Sequence, residues 1–256
     1  MKQYGVDGAL EDPVLQLYSG QTVIETNDNW SSDAGKSDRI IQVSAQAGAP
    51  GLAVGSKDAA IVITLSPGGY TAQLSGACGS TGIGMIEIYE ADSVVTDAKL
   101  INISTRSETR GDAEVQIAGF IISGNKSKNV LIRALGPQLA QSGVTNYLTD
   151  PVLTLYTGQT ILQTDDDWST GLPTPAAVGA ATFAAHAIPL AGGSTDSAIV
   201  TTLAPGGYTA QVSGKNGQKG VTLSRYMSCL IMMRIKGGIL IAACASYEAS
   251  RYCLSG

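Results

Sequence analysis

The stretch "DPVLTLYTGQTILQTDDDW", Asp150 to Trp168, decides how this chain folds. "VLTLY" alternates in polarity, a Thr-Gly turn follows, and "TILQT" runs back, which predicts a β-hairpin. The same pattern stands earlier as "DPVLQLYSGQTVIETNDNW", Asp12 to Trp30, with 12 identities in 19 positions. Further along, "DSAIVTTLAPGGYTAQVSG" (Asp196 to Gly214) repeats "DAAIVITLSPGGYTAQLSG" (Asp58 to Gly76). Both pairs are 138 residues apart, with no net insertion between them, so the chain is a tandem duplication.

Each copy reads as short strands separated by turns. "AIVITL" and its counterpart lead through a Pro-Gly-Gly turn into a returning strand that carries Tyr70 or Tyr208. Between the copies, "LINIST", "VQIAGFIISG" and "NVLIRALG" are apolar runs of strand length, expected to be covered on both faces. Helical spacing is scarce, and "TPAAVGAATFAAHA" (Thr174 to Ala187) is the one short helix the sequence predicts. The expected fold is all-β, two tandem β-sandwich (jelly-roll-like) repeat units. The first is expected over residues 1–91 and the second over 92–228, including the strands of 100–136, with 229–256 as a tail.

The run "NVLIRALGPQLAQSGVTNYLTDPVLTLY…DDDW…LAPGGYTAQVSG", with "NISTR…IAGFIISG" before it, resembles the repeat unit of large exported proteins from Verrucomicrobia- and Acidobacteria-type bacteria. More distantly, the order strand, acidic loop, "GGYTAQVSG" is similar to the bacterial pre-peptidase C-terminal β-sandwich, some members of which bind calcium or carbohydrate. The resemblance implies an exported or cell-surface location in the parent protein, although this chain begins without a signal peptide.

Hydrophobic residues make up 44% of the 256 and charged residues 14%, a balance that buries surface. The net charge of −5, without a basic stripe, argues against a nucleic-acid partner. "GGILIAACA" (Gly237 to Ala245), the longest apolar run, is about half the ~18 residues that span a bilayer. One histidine and no CxxC spacing argue against a zinc site.

The ends of the copies differ. In the repeat unit about 45 residues precede "GVTNYLTDP", whereas the first copy starts at "MKQYGVDGALEDP", so its leading strands are missing. An open sheet edge follows, with a homodimer or strand exchange through 100–136 as the expected consequence. Copy one closes with "GMIEIYE" (Gly84 to Glu90), but copy two runs "TLSRYMSC" (Thr222 to Cys229). A set of codons that can encode Ser-Arg-Tyr-Met-Ser-Cys, TCG-AGA-TAT-ATG-AGC-TGC, gives Leu-Glu-Ile-Tyr-Glu-Leu, aligned with "IEIYE", when read one nucleotide earlier after a C. A frameshift near Leu223 is the expectation, with 229–256 as an out-of-frame tail.

The acidic loops are the leading candidate site. Ca²⁺ takes about 6–8 oxygen ligands. Asp165, Asp166 and Asp167, and in the first copy Asn27, Asp28 and Asn29, supply several oxygens, with Asp196 and Asp58 as further donors. The alternative is an Asx-rich turn whose side chains bond their own backbone. Trp30 and Trp168 occupy equivalent positions and read either as sugar-stacking platforms or as plugs closing the sandwich. His186 lacks a GxSxG partner motif, and copy one has Gly48 in its place. Lys36 and Lys215 lie in glycine-bearing stretches that read as solvated turns, and Arg133 inside "VLIRALG" calls for a carboxylate partner.

The leading functional expectation is a non-catalytic repeat serving as a spacer, adhesive or ligand-binding module, with carbohydrate or a small molecule as the ligand. The alternative is a Ca²⁺-dependent hydrolase of an ester or lactone, the ion polarising the carbonyl beside Asp165–Asp167. No catalytic residue is assigned by sequence alone.

Overall fold

The computed structural model describes residues 7–92, 100–111, 115–228 and 237–245. Strands dominate it, and every ladder between the described strands is antiparallel, consistent with an all-β fold. The chain divides into two compact units, residues 100–232 and residues 1–99 with 233–256.

The unit of residues 100–232 is the fuller one. It contains β6 (Asn102–Arg110), β7 (Gln116–Ile122), β8 (Lys128–Leu135), β9 (Pro151–Thr157), β10 (Thr160–Asp165), helix α2 (Pro175–Ala184), β11 (Ser197–Leu203), β12 (Gly206–Gly214) and β13 (Lys219–Ser228). The strands form two four-stranded sheets, in the orders β10-β9-β12-β7 and β11-β8-β13-β6. Alternation turns Leu153, Leu155, Ala210 and Val212 of the first sheet into one core with Val130, Ile132 and Ile199 of the second. Each buried Val, Leu or Ile there contributes about 1.5–3 kcal/mol, which is why this sandwich-like core sets the register.

β8 is buried on both faces. Its other row, Leu131 and Leu135, packs beneath Leu139, Leu190 and the α2 residues Val178 and Ala181. The expectation of two covered faces fails for β6 and β7. Both are edge strands, and Ile117 and Ile121 of β7 lie exposed.

The other unit contains β1 (Pro13–Ser19), β2 (Thr22–Asn27), α1 (Ala34–Ala47), β3 (Ala59–Leu65), β4 (Tyr70–Gly76), β5 (Gly84–Glu90) and, from far along the chain, β14 (Gly237–Ala245). Its sheets are three-stranded, β2-β1-β4 and β3-β14-β5. Leu15 and Leu17 face Ala59, Ile61 and Leu65 across its core.

β14 takes the position that β8 holds in the fuller unit, in the same register. Ile241 pairs with Ile61 and Ile88, just as Ile132 pairs with Ile199 and Tyr226. The strand thus comes from the segment read as an out-of-frame tail. A sheet slot is filled through backbone hydrogen bonds, and these ask only for an extended segment of suitable length. The rest of that tail, residues 229–236 and 246–256, lies outside the described residues.

Helix α1 is not anticipated by the sequence reading, which left Lys36 in a solvated turn. Asp33 caps the helix by accepting from the Gly35 and Lys36 amides at 2.9 and 3.2 Å. Gly48 closes it at φ 69° while the Ala49 amide bonds the Ser44 carbonyl. Only Ile40 and Ser44, one turn apart, are buried, so the apolar stripe is too thin to read from periodicity. Helix α2 falls inside the predicted span and ends earlier, with His186 at φ 50° where copy one has Gly48.

Candidate functional site

The two acidic loops are built alike. Each leaves the second strand of its hairpin with a side-chain oxygen that accepts an amide of the strand across the core. Asn27 Oδ1 accepts from the Ala60 amide at 2.9 Å, and Asp165 Oδ2 from the Ala198 amide at 2.8 Å. Three residues on, the Trp30 and Trp168 amides donate to the Asp58 and Asp196 carbonyls at 2.8 and 2.9 Å.

Each indole Nε1 donates at 3.2 Å to a carbonyl, Ala53 or Ala191, and at 3.2 Å to a hydroxyl, Ser56 or Ser194. That hydroxyl in turn donates to the Asp58 or Asp196 carboxylate at 2.6 or 2.8 Å. Asp196 is fully buried, and its other oxygen accepts the Gly136 and Gln138 amides at 2.8 and 3.2 Å. A chain of Trp, Ser and Asp therefore clamps each loop to its sheet. Ser56 and Ser194 went unnoticed as site residues, although their equivalence at the repeat spacing was the signal that could have found them.

The three adjacent aspartates meet three different partners, two through their carboxylates and one through its backbone carbonyl. Asp165 turns inward to the Ala198 amide. Asp166 turns outward to Lys215 Nζ at 2.8 Å, and Lys215 also reaches Asp150 at 3.5 Å. Asp167 contributes its carbonyl, which accepts the Thr170 amide at 2.9 Å. In copy one, Asp28 accepts from the Asn29 side chain at 2.8 Å, while Lys57 pairs with Asp12, the counterpart of Asp150.

Asp165 and Asp166 thus turn their carboxylates to different partners, whereas Ca²⁺ takes several oxygens that converge on one point. Among the described residues, no group of three or more His, Cys, Asp or Glu side chains is gathered as a metal site. Burial, more than its acidic neighbours, pushes the Asp165 carboxyl up to about 6. Burial likewise raises Asp150, against the pull of Lys215.

The tryptophans differ in exposure. Trp30 is buried with Ile40 and Ala60, whereas Trp168 borders a groove of about 380 Å³ lined also by Val178, Thr182, Phe183, His186 and Leu190. The groove is apolar apart from Thr182 and the imidazole. Positive φ is strained for a histidine, so His186 holds that wall in a conformation glycine would adopt more easily.

Arg133 does not meet the carboxylate that the sequence called for. It donates Nη1 to the Ile188 carbonyl at 2.6 Å, and the residue opposite it on β13 is Arg225. Burial first, then the Arg225 charge, pulls the Arg133 pKa down to about 10. Lys36 bonds Glu25 at 3.2 Å from the first turn of α1.

No family model, curated protein or solved structure matches the chain. No helix among the described residues is long and apolar enough to cross a membrane.

Proposed function

We propose that the chain is a non-catalytic β-sandwich repeat of an exported or cell-surface protein, acting as a spacer, adhesive or ligand-binding module. The observation that supports this reading is the duplicated clamp. In both copies the tryptophan that ends the acidic loop ties the loop to the sheet, through Trp30, Ser56 and Asp58 or Trp168, Ser194 and Asp196. A catalytic site needs polar groups that converge on a shared point in a concave surface; here they converge on one another. Self-association through an open sheet edge belongs to the same reading.

Ligand binding has its own support in the groove beside Trp168, where an aromatic edge and a histidine line an apolar trough suited to a sugar face or a small aromatic molecule. The deciding experiment is a hydrolysis screen on ester and lactone panels, with calcium and with chelator, beside a glycan-binding screen. The expected result is no turnover above the uncatalysed rate in either condition. Calcium-dependent turnover that is lost in Asp166→Asn would favour the Ca²⁺-dependent hydrolase instead.

A further inference from the structure

In the fuller unit, one face of the sheet β11-β8-β13-β6 gathers positive charge. Register sets Arg225 of β13 opposite Arg133 of β8 on one side and opposite Ser104 of β6 on the other. Residues paired in this way point to the same face, and so does Arg106, the next residue but one after Ser104. Glu108 follows on that face of β6, but Arg110 holds it at 3.1 Å. Asp196 attracts Arg133 from nearby. Its oxygens are bonded to the Ser194 hydroxyl and to the Gly136 and Gln138 amides. Among the described residues, no carboxylate forms an ion pair with Arg106, Arg133 or Arg225.

The cluster is graded from buried to open. Arg133 is 1% exposed and anchored by the bond from its Nη1 to the Ile188 carbonyl, while its Nε has no partner. Arg225 is half-buried, its Nε equally without a partner. Arg106 and Ser104 are exposed. The other unit has nothing comparable. There Ala242 pairs with Ala60 and Glu87, as Arg133 pairs with Ala198 and Arg225.

We propose that this face binds a tetrahedral oxyanion of the sulfate or phosphate class, with Arg225, Arg106 and the Ser104 hydroxyl as its contacts and Arg133 as the fixed cationic wall behind them. Guanidinium groups present paired N–H donors that match the oxygens of such an anion. Donors arriving from two strands suit a tetrahedral dianion better than a planar, singly charged carboxylate. The anion also offsets the repulsion between Arg133 and Arg225, so binding and folding stability rise together. The net charge of the chain is −5, so the attraction is local to this face. The site shares no residue with the groove beside Trp168 and does not depend on the chain being a repeat module.

The test titrates inorganic sulfate and inorganic phosphate into the whole chain, with chloride holding the ionic strength constant, and follows calorimetry and thermal melting. The expected dissociation constant is on the order of 1 mM. At about ten times that concentration the melting of residues 100–228 should rise by about 3 °C. The anion that binds more tightly identifies the head group. Arg106→Gln should weaken binding about fivefold or more and leave melting without the anion unchanged. Arg225→Gln should melt no lower than the parent without the anion and lose the response to it, which separates loss of the site from loss of the fold. A parent that does not respond at constant ionic strength overturns the proposal. So does an equal response in the parent and in both variants, which would be a general salt effect on stability. Acetate binding as tightly as sulfate overturns the tetrahedral class.

Discussion

Arg133 of β8 and Arg225 of β13 stand directly opposite each other, and the Nε atom of each is buried without a hydrogen-bond partner. Like charges in that relation destabilise a sheet, and burying a guanidinium is costly, a cost that the Asp196 charge offsets only in part. The first copy carries Glu87 at the position of Arg225. A glutamate there would give Arg133 the carboxylate its sequence context calls for.

Arg225→Glu should therefore stabilise the fold by on the order of 2 kcal/mol. Arg225→Gln, which removes only the repulsion, should give less than half of that. Urea unfolding of the three proteins at neutral pH measures both. A glutamate variant no more stable than the parent would mean that the guanidinium of Arg133 is already satisfied.

The raised pKa of Asp165 fixes a pH dependence. The folded state holds this proton more tightly than the unfolded chain, whose carboxyl titrates near the ordinary 3.8. Its contribution is then fully present below about pH 4, falls as pH rises to about 6, and is lost above that. Asp165→Asn keeps an oxygen for the Ala198 amide, as Asn27 does for Ala60 in copy one. The variant should be more stable than the parent above pH 6 and should lose this slope. Thermal unfolding from pH 4 to 8 checks the sign.

The clamps should differ in cost when broken. Ser194→Ala leaves Asp196, which is 0% exposed, short of a donor, whereas Ser56→Ala does the same to a half-buried Asp58. An unsatisfied buried acceptor costs about 1–3 kcal/mol, so Ser194→Ala should fall in that range and Ser56→Ala below it. Equal losses would show that the indole contacts dominate.

β14 sits between β3 and β5, so deleting residues 229–256 should lower the melting of residues 1–99 and leave that of residues 115–228 in place. Exchange mass spectrometry resolves the two. Unchanged protection across Ala59–Leu65 and Gly84–Glu90 would mean that β14 contributes no stability.

Calcium provides the simplest check on the loop. With the Asp165 carboxylate held by the Ala198 amide and that of Asp166 by Lys215, melting with calcium and with chelator should coincide for the parent and for Asp166→Asn. A calcium-dependent rise in the parent alone would mean that Asp166 leaves Lys215 for the ion.

The sequence by itself determined the duplication, the hairpins and the all-β class, because alternation and identity at a fixed spacing are local properties that survive without contacts. It also marked Trp30, Trp168, Asp58 and Asp196 as equivalent pairs, but not what they do. That waited on the strand across the core: whether a carboxylate faces an amide, a lysine or solvent depends on a backbone group some thirty residues away, as with Asp165 and Ala198. Helix α1 was hidden because two buried positions make too weak a stripe, and a cap at Asp33 with a closing Gly48 decided it. The choice of β14 for the slot between β3 and β5 belongs wholly to the tertiary structure. Sheet pairing is made by peptide groups that every residue carries, so the partner is selected by reach, extended geometry and fit against the core, none of which is written in the strand that accepts it.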